Sequence, residues 1–90
     1  MMLISYDISN NKKRSKFVRY LKKFGHRIQY SVFQIDNSEH ILDNIITEIK
    51  NNYSSSFSEE DSIYIFMLSN TCKITRYGYA EHEEENIIVL

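Results

Sequence analysis

The apolar positions of this 90-residue chain fall into segments of two different periods. Residues 3–6, LISY, are a short run of β-favouring residues and read as a strand. The run breaks at once into Ser9, Asn10 and Asn11, residue types that bond to nearby backbone and favour turns and helix N-caps. From about Asn11 to Phe24 the period changes: Phe17, Val18, Leu21 and Phe24 recur at helical spacing, with Tyr20 at the stripe's edge. Gly25 is expected to end that helix by supplying a positive φ.

Residues 27–35, RIQYSVFQI, alternate Ile28, Tyr30 and Val32 against Gln29, Ser31 and Phe33 and read as one strand, antiparallel to a neighbour. Asp36, Asn37 and Ser38 turn the chain, and Glu39 suits the amino end of the next helix. Ile41, Leu42, Ile45, Ile46 and Ile49 mark that helix to about Tyr53, with its stripe on the sheet. Residues 54–61, SSSFSEED, form a polar loop whose acids argue against phosphate contact. Residues 63–68, IYIFML, are the most continuous apolar run and predict a central strand buried on both faces. Residues 74–80 suggest a further strand, interrupted at Gly78 by a bulge or close backbone approach. The last four residues, IIVL, read as a terminal strand that must be paired to avoid aggregation.

The architecture expected is α+β: a split βαβ, ferredoxin-like β-α-β-β-α-β with an extra C-terminal strand and both helices on one face of an antiparallel sheet. Residues 1–80 are assigned to the domain. Residues 81–90 are assigned to an acidic linker and a C-terminal strand that pairs across a dimer or with a partner.

Composition places the chain among ordinary globular proteins, at 42% apolar, 13% aromatic and 26% charged. Nothing approaches a membrane-spanning run, and the amino terminus has no basic segment before an apolar core, so a soluble cytoplasmic protein is expected. Cys72 stands alone, which excludes an intrachain disulfide, suits a reducing compartment and suggests a small packing residue.

Charge changes the picture more than composition does. The net charge of −1 conceals a split. Eight of the eleven cations (Lys12, Lys13, Arg14, Lys16, Arg19, Lys22, Lys23 and Arg27) precede residue 36, where Asp7 is the sole acid. The first 35 residues therefore carry +7 and the remainder −8. A helix loaded with cations repels itself, and a row of phosphates is its natural counterpart.

Asp7 stands at the carboxyl end of the first strand just before a helix, where functional side chains often sit in α/β folds. A turn or capping role would place an aspartate there too. His82 with Glu83, Glu84 and Glu85 resembles a metal cluster only superficially, since adjacent carboxylates on an exposed segment ordinarily form a solvated linker. Fold alone names no function.

Four segments in order, YDIS, NNKKRSKFVRYL, FGHRIQYSVF and IYIFML, resemble the CRISPR-associated Cas2 family over roughly residues 2–80. The resemblance implies a homodimer with the sheets of two subunits face to face. It also implies a CRISPR integrase subunit as partner, duplex DNA as ligand and no membrane. Such a dimer would bridge integrase dimers and support duplex DNA during spacer acquisition. The family is also described as a magnesium-dependent endonuclease on single-stranded RNA or double-stranded DNA. Asp7 then matches the catalytic, Mg2+-binding aspartate, the two copies facing each other across the dimer axis. Ser9 and Ser31 would assist as neighbours of the metal's waters. Asn10, Lys12, Lys13, Arg14, Lys16, Arg19 and Arg27 match the nucleic-acid face, which should hold phosphates without reading bases. A lone carboxylate with no histidine beside it favours the scaffold over the nuclease.

Overall fold

The computed structural model describes residues 1–36 and 39–78. Strand β1, Met2–Asp7, alternates as its sequence demands: Met2, Ile4 and Tyr6 are buried, Leu3 and Ser5 are half-exposed on the opposite face, and Asp7 is exposed. Helix α1, Asn11–Leu21, begins at the cap formed by Asn10, whose side-chain oxygen accepts from the Lys13 amide at 3.0 Å, an interaction typically worth about 1 kcal/mol. Its inner face buries Phe17 and Leu21 completely, with Val18, Tyr20 and, in the turn that follows the helix, Phe24 packed against the core.

Gly25 ends the helical path for a reason other than the one expected. Among the described residues only Gly78 has a positive φ, so Gly25 supplies no left-handed turn. A Cβ at residue 25 would lie 2.1 Å from the Gln34 carbonyl oxygen, and it is this close backbone approach that requires glycine.

The segment read as one strand is two. Strand β2, His26–Gln29, and strand β3, Val32–Ile35, form an antiparallel hairpin that reverses at Tyr30 and Ser31. Arg27 pairs with Phe33 but Gln29 pairs with Val32, so Ile28 is an extra residue in the ladder, a bulge that changes which side chains face inward. Phe33 and Ile35 are fully buried, whereas Tyr30 is 70% exposed. This hairpin completes the order β-α-β-β-α-β.

Helix α2, Leu42–Asn52, buries Ile45 and packs Leu42 and Ile49 on the core. It starts after Glu39 and has no side-chain cap at its amino end. A short 3-10 turn, Ser54–Ser56, leads through the polar loop to strand β4, Ser62–Met67.

The strands lie in the order β2-β3-β1-β4, with each neighbouring pair antiparallel. Among the described residues the apolar run expected at the centre, residues 63–68, is therefore at an edge. Ile63 and Ile65 are half-buried toward the helices, while Tyr64, Phe66 and Met67 are 60%, 47% and 51% exposed. The core is assembled around Tyr6, Phe17, Phe33 and Tyr53. The Phe17 ring stands edge-on to Tyr53 at 5.1 Å and to Tyr6 at 5.7 Å, a preferred aromatic arrangement.

Residues 74–78 form no strand, and Gly78, with φ of 90°, has open space around it, not the close backbone approach expected there. Cys72 is exposed and packs no core. The expected linker and strand at 81–90, with the His82 cluster, lie outside the described residues.

Candidate nucleic-acid interface

Strand β1 delivers Asp7 to the rim of an open groove of about 970 Å³. The other walls come from α1, through Arg14, Val18, Arg19 and Lys22, and from the hairpin, through Arg27, Tyr30 and Ser31. Helical spacing explains the first set, since residues 14, 18 and 22 recur four apart and stack on one flank of α1. The hairpin reversal explains the second: Tyr6 donates its amide to the Ser31 carbonyl at 3.0 Å and its hydroxyl to the Tyr30 carbonyl at 3.3 Å, which ties the hairpin tip to β1.

Of the residues singled out in the sequence, the fold thus gathers Asp7, Arg14, Arg19, Arg27 and Ser31 around one groove. It adds Lys22, which sequence reasoning places in the cationic band without assigning it to the site. It also adds Tyr6, whose phenol sits beside Arg27. Burial pushes that phenol above its ordinary value; the Arg27 guanidinium, hydrogen-bonded to it, and Arg14 work in the opposite direction and are outweighed. Tyr6 is accordingly a neutral hydrogen-bond donor at physiological pH.

The remaining candidates are placed elsewhere. Asn10 is consumed by the helix cap. Lys13 donates its ammonium to the Ser56 carbonyl at 3.1 Å. Lys12 and Lys16 are exposed on α1 outside the groove, and the Lys16 ammonium stands 6.0 Å from the Tyr53 ring centroid. Within the groove wall, Arg14 bonds the Ile8 carbonyl at 3.0 Å and the Asn11 side chain, so its guanidinium is oriented before any ligand arrives. Ser9 does not line the groove, and its hydroxyl is held by Asp61 at 2.9 Å.

The electrostatics of α1 are unusual for a helix left to itself. Its first turn holds no acid to complement the dipole and instead carries Lys12, Lys13 and Arg14. Each cation there is unfavourable by roughly 0.3–1 kcal/mol at low salt, a cost that a bound polyanion would reverse.

The oxygen chemistry of the groove suits magnesium only in a limited way. Mg2+ accepts one or two carboxylates and takes its other ligands from water and substrate phosphate. Asp7 offers one exposed carboxylate, and no group of three His, Cys, Asp or Glu residues converges among the described residues. Asp61, next to the β1–β4 register pair Asp7 and Ser62, has both carboxylate oxygens committed to Ser9 and Ser58. The groove therefore fits an ion that arrives with phosphate, held by Asp7, and not one caged by a single chain.

The profile of the family described as CRISPR associated protein Cas2 matches residues 1–76. A protein named CRISPR-associated endoribonuclease Cas2 from Synechocystis sp. is 33% identical over 69 residues, 77% of this chain and 72% of that protein. Another of that name from Methanospirillum hungatei is 29% identical over 91 residues, 98% of this chain and 97% of its own. Among solved structures, a hypothetical protein from Thermus thermophilus superposes with a TM-score of 0.68, covering 90% of this chain and 95% of that one. At 22% identity this last likeness speaks for the fold. No helix among the described residues is long and apolar enough to cross a membrane.

Proposed function

The chain belongs to the CRISPR associated protein Cas2 family, and from that premise we propose that it acts in the cytoplasm as a dimeric adaptation subunit. Its dimer bridges integrase dimers, and its basic face supports duplex DNA during spacer acquisition. The observation that carries this reading is the convergence of Arg14, Arg19, Lys22 and Arg27 on one open groove. Cations so spaced neutralise successive phosphates and release their counterions. The dimer is supported by a sheet face that no other described residues cover, where Tyr64 and Phe66 stack at 6.1 Å beside Leu3. The experiment is duplex binding over a salt series. Replacing Lys12, Lys13 and Arg14 by glutamate should weaken binding and flatten its salt dependence; unchanged binding in that variant would overturn the basic-face reading.

A second reading is favoured by one observation, that Asp7 lies on the rim of the same cationic groove. In it the protein is a Mg2+-dependent endonuclease on single-stranded RNA or double-stranded DNA. When bound, the ion would lower the pKa of a water and neutralise charge on the phosphodiester. The chain's own part is to hold the phosphate through Arg14 and Arg27 and to present the Asp7 carboxylate. Asp7→Ala separates the readings: integration that survives while hydrolysis disappears leaves the scaffold role independent of catalysis.

A further inference from the structure

The loop from β1 to α1 is fixed residue by residue. Ile8 is 2% exposed, and its carbonyl accepts from Arg14. Asn10 caps the helix. Ser9 is exposed, lies between them, and is held from 52 residues away. One Asp61 oxygen accepts from the Ser9 amide at 2.8 Å and the Ser9 hydroxyl at 2.9 Å, and the other accepts from the Ser58 amide at 3.0 Å. The Asp61 amide donates to the Ser58 carbonyl at 3.1 Å, closing the turn that aims the carboxylate. Asp61 directly precedes Ser62, the β4 partner of Asp7 in the ladder. The carboxylate therefore staples together the two chain segments at the point where Asp7 emerges from the sheet.

We propose that Asp61 is a positioning residue for the Asp7 groove. By holding Ser9 it sets the direction in which the chain leaves β1, and with it the aim of Asp7 and of Arg14, which is anchored one residue earlier at Ile8. It does so without lining the groove itself. Its part in ligand binding rests on the reading of the groove as a phosphate site; its part in fixing the loop does not. This placement also gives a role to the last acid of SSSFSEED, a loop whose acids the sequence reads only as arguing against phosphate contact. A carboxylate accepting three hydrogen bonds from uncharged donors is a fixed anion, oriented by its own turn, and a neutral side chain of the same size cannot accept from both sides.

The test uses the full-length chain and its Asp61→Ala, Asp61→Asn and Ser9→Ala variants. It follows amide exchange and Asp7 resonances by NMR, together with duplex DNA and Mn2+ binding. The Ser9 amide should exchange about tenfold faster in Asp61→Ala, the order expected when one charge-assisted bond is removed, while the middle of β1 keeps its protection. The Asp7 side-chain resonances should move, and duplex affinity should fall several-fold although the lost negative charge by itself favours DNA, with the salt slope unchanged because no cation has been removed. Ser9→Ala, which removes the hydroxyl bond and keeps the amide bond, should move the same readouts in the same direction but less than Asp61→Ala. Should Asp61→Ala not fold, Asp61→Asn is used, whose single acceptor oxygen can hold Ser9 or Ser58 but not both, so that one of those two amides loses protection. A Ser9 amide as protected as in wild type in Asp61→Ala, both amides as protected as in wild type in Asp61→Asn, or Asp7 resonances that do not move, would overturn the proposal. If wild-type protein binds neither duplex nor Mn2+, the groove reading fails, and the exchange and Asp7 resonances still decide the role of Asp61 in the loop.

Discussion

The Tyr6 hydroxyl donates to the Tyr30 carbonyl oxygen 3.3 Å away, joining β1 to the tip of a hairpin 24 residues later. The ring of the same tyrosine is in the core, against Phe17, so one side chain both fills the interior and holds a wall of the groove. Tyr6→Phe keeps the ring and removes the bond. We expect a loss of about 0.5–1.5 kcal/mol in chemical denaturation, the usual net value of such a bond. Weaker duplex binding should accompany it, because Arg27 loses the phenol that faces it. Stability and binding both equal to wild type would show that the hairpin tip is held by its backbone alone.

Gly25 and Gln34 define a second constraint. The Gln34 oxygen and the Ile35 Cγ1 stand 2.1 and 2.8 Å from where a Cβ on residue 25 would lie, and the first is backbone that cannot rotate away. Gly25→Ala should cost at least the roughly 1–3 kcal/mol of an overpacked core. If that variant melted like wild type, the close approach of the α1–β2 connection to β3 would be wrong.

These two positions show what is and is not legible in the sequence. Helices α1 and α2 are legible because each keeps a single apolar stripe, and β1 because its run ends in turn formers. The hairpin is hidden. Its reversal at Tyr30 and Ser31 contains no glycine, proline or asparagine, and the bulge at Ile28 lets residues 27–35 alternate as though continuous. Strand β4 reads as a central strand since both its faces are apolar. In one chain, however, Tyr64 and Phe66 face away from the helices. Asp7, Arg14, Arg19 and Arg27 can be named from residue type and spacing. Asp61 cannot, for its meaning lies in a hydrogen bond with Ser9 that no local pattern records.

The Asp61 staple carries a pH signature. Hydrogen bonds from the Ser9 amide, and then from Ser58, hold its carboxyl below the ordinary 3.8. A folded-state value below the unfolded one means a contribution present above the unfolded value and lost as pH falls through the folded value. Wild type should therefore exceed Asp61→Asn in urea midpoint at neutral pH, with the gap closing only in acid below 3.8. A gap that is constant with pH would assign the difference to shape and not to charge.

The open sheet face offers a test of the dimer. Leu3 and Phe66 are register partners, as are Ser5 and Tyr64, so these side chains share the face away from the helices. Serine at both 64 and 66 removes two large exposed rings that contribute little to the folding of a single chain. Sedimentation should show the mass falling to that of a monomer with the fold retained by circular dichroism. An unchanged dimer would place the interface on another surface.

The cations of α1 divide by position, and this yields the sharpest check on the interface. Arg19 and Lys22 line the groove with Arg27, whereas Lys12 and Lys16 stand outside it on the same helix. Net charge is altered equally by Arg19→Ala with Lys22→Ala and by Lys12→Ala with Lys16→Ala. A diffuse attraction would make the two double variants equivalent, since long-range fields depend mainly on total charge. Direct phosphate pairing would make them unequal. Removing a cation that pairs with a phosphate lowers the slope of log affinity against log salt by about 0.9 for duplex DNA, so the groove pair should drop by nearly two and the outer pair by much less. Equal slopes in the two variants would mean that the duplex lies along the whole of α1, and the groove would lose its claim to be the site.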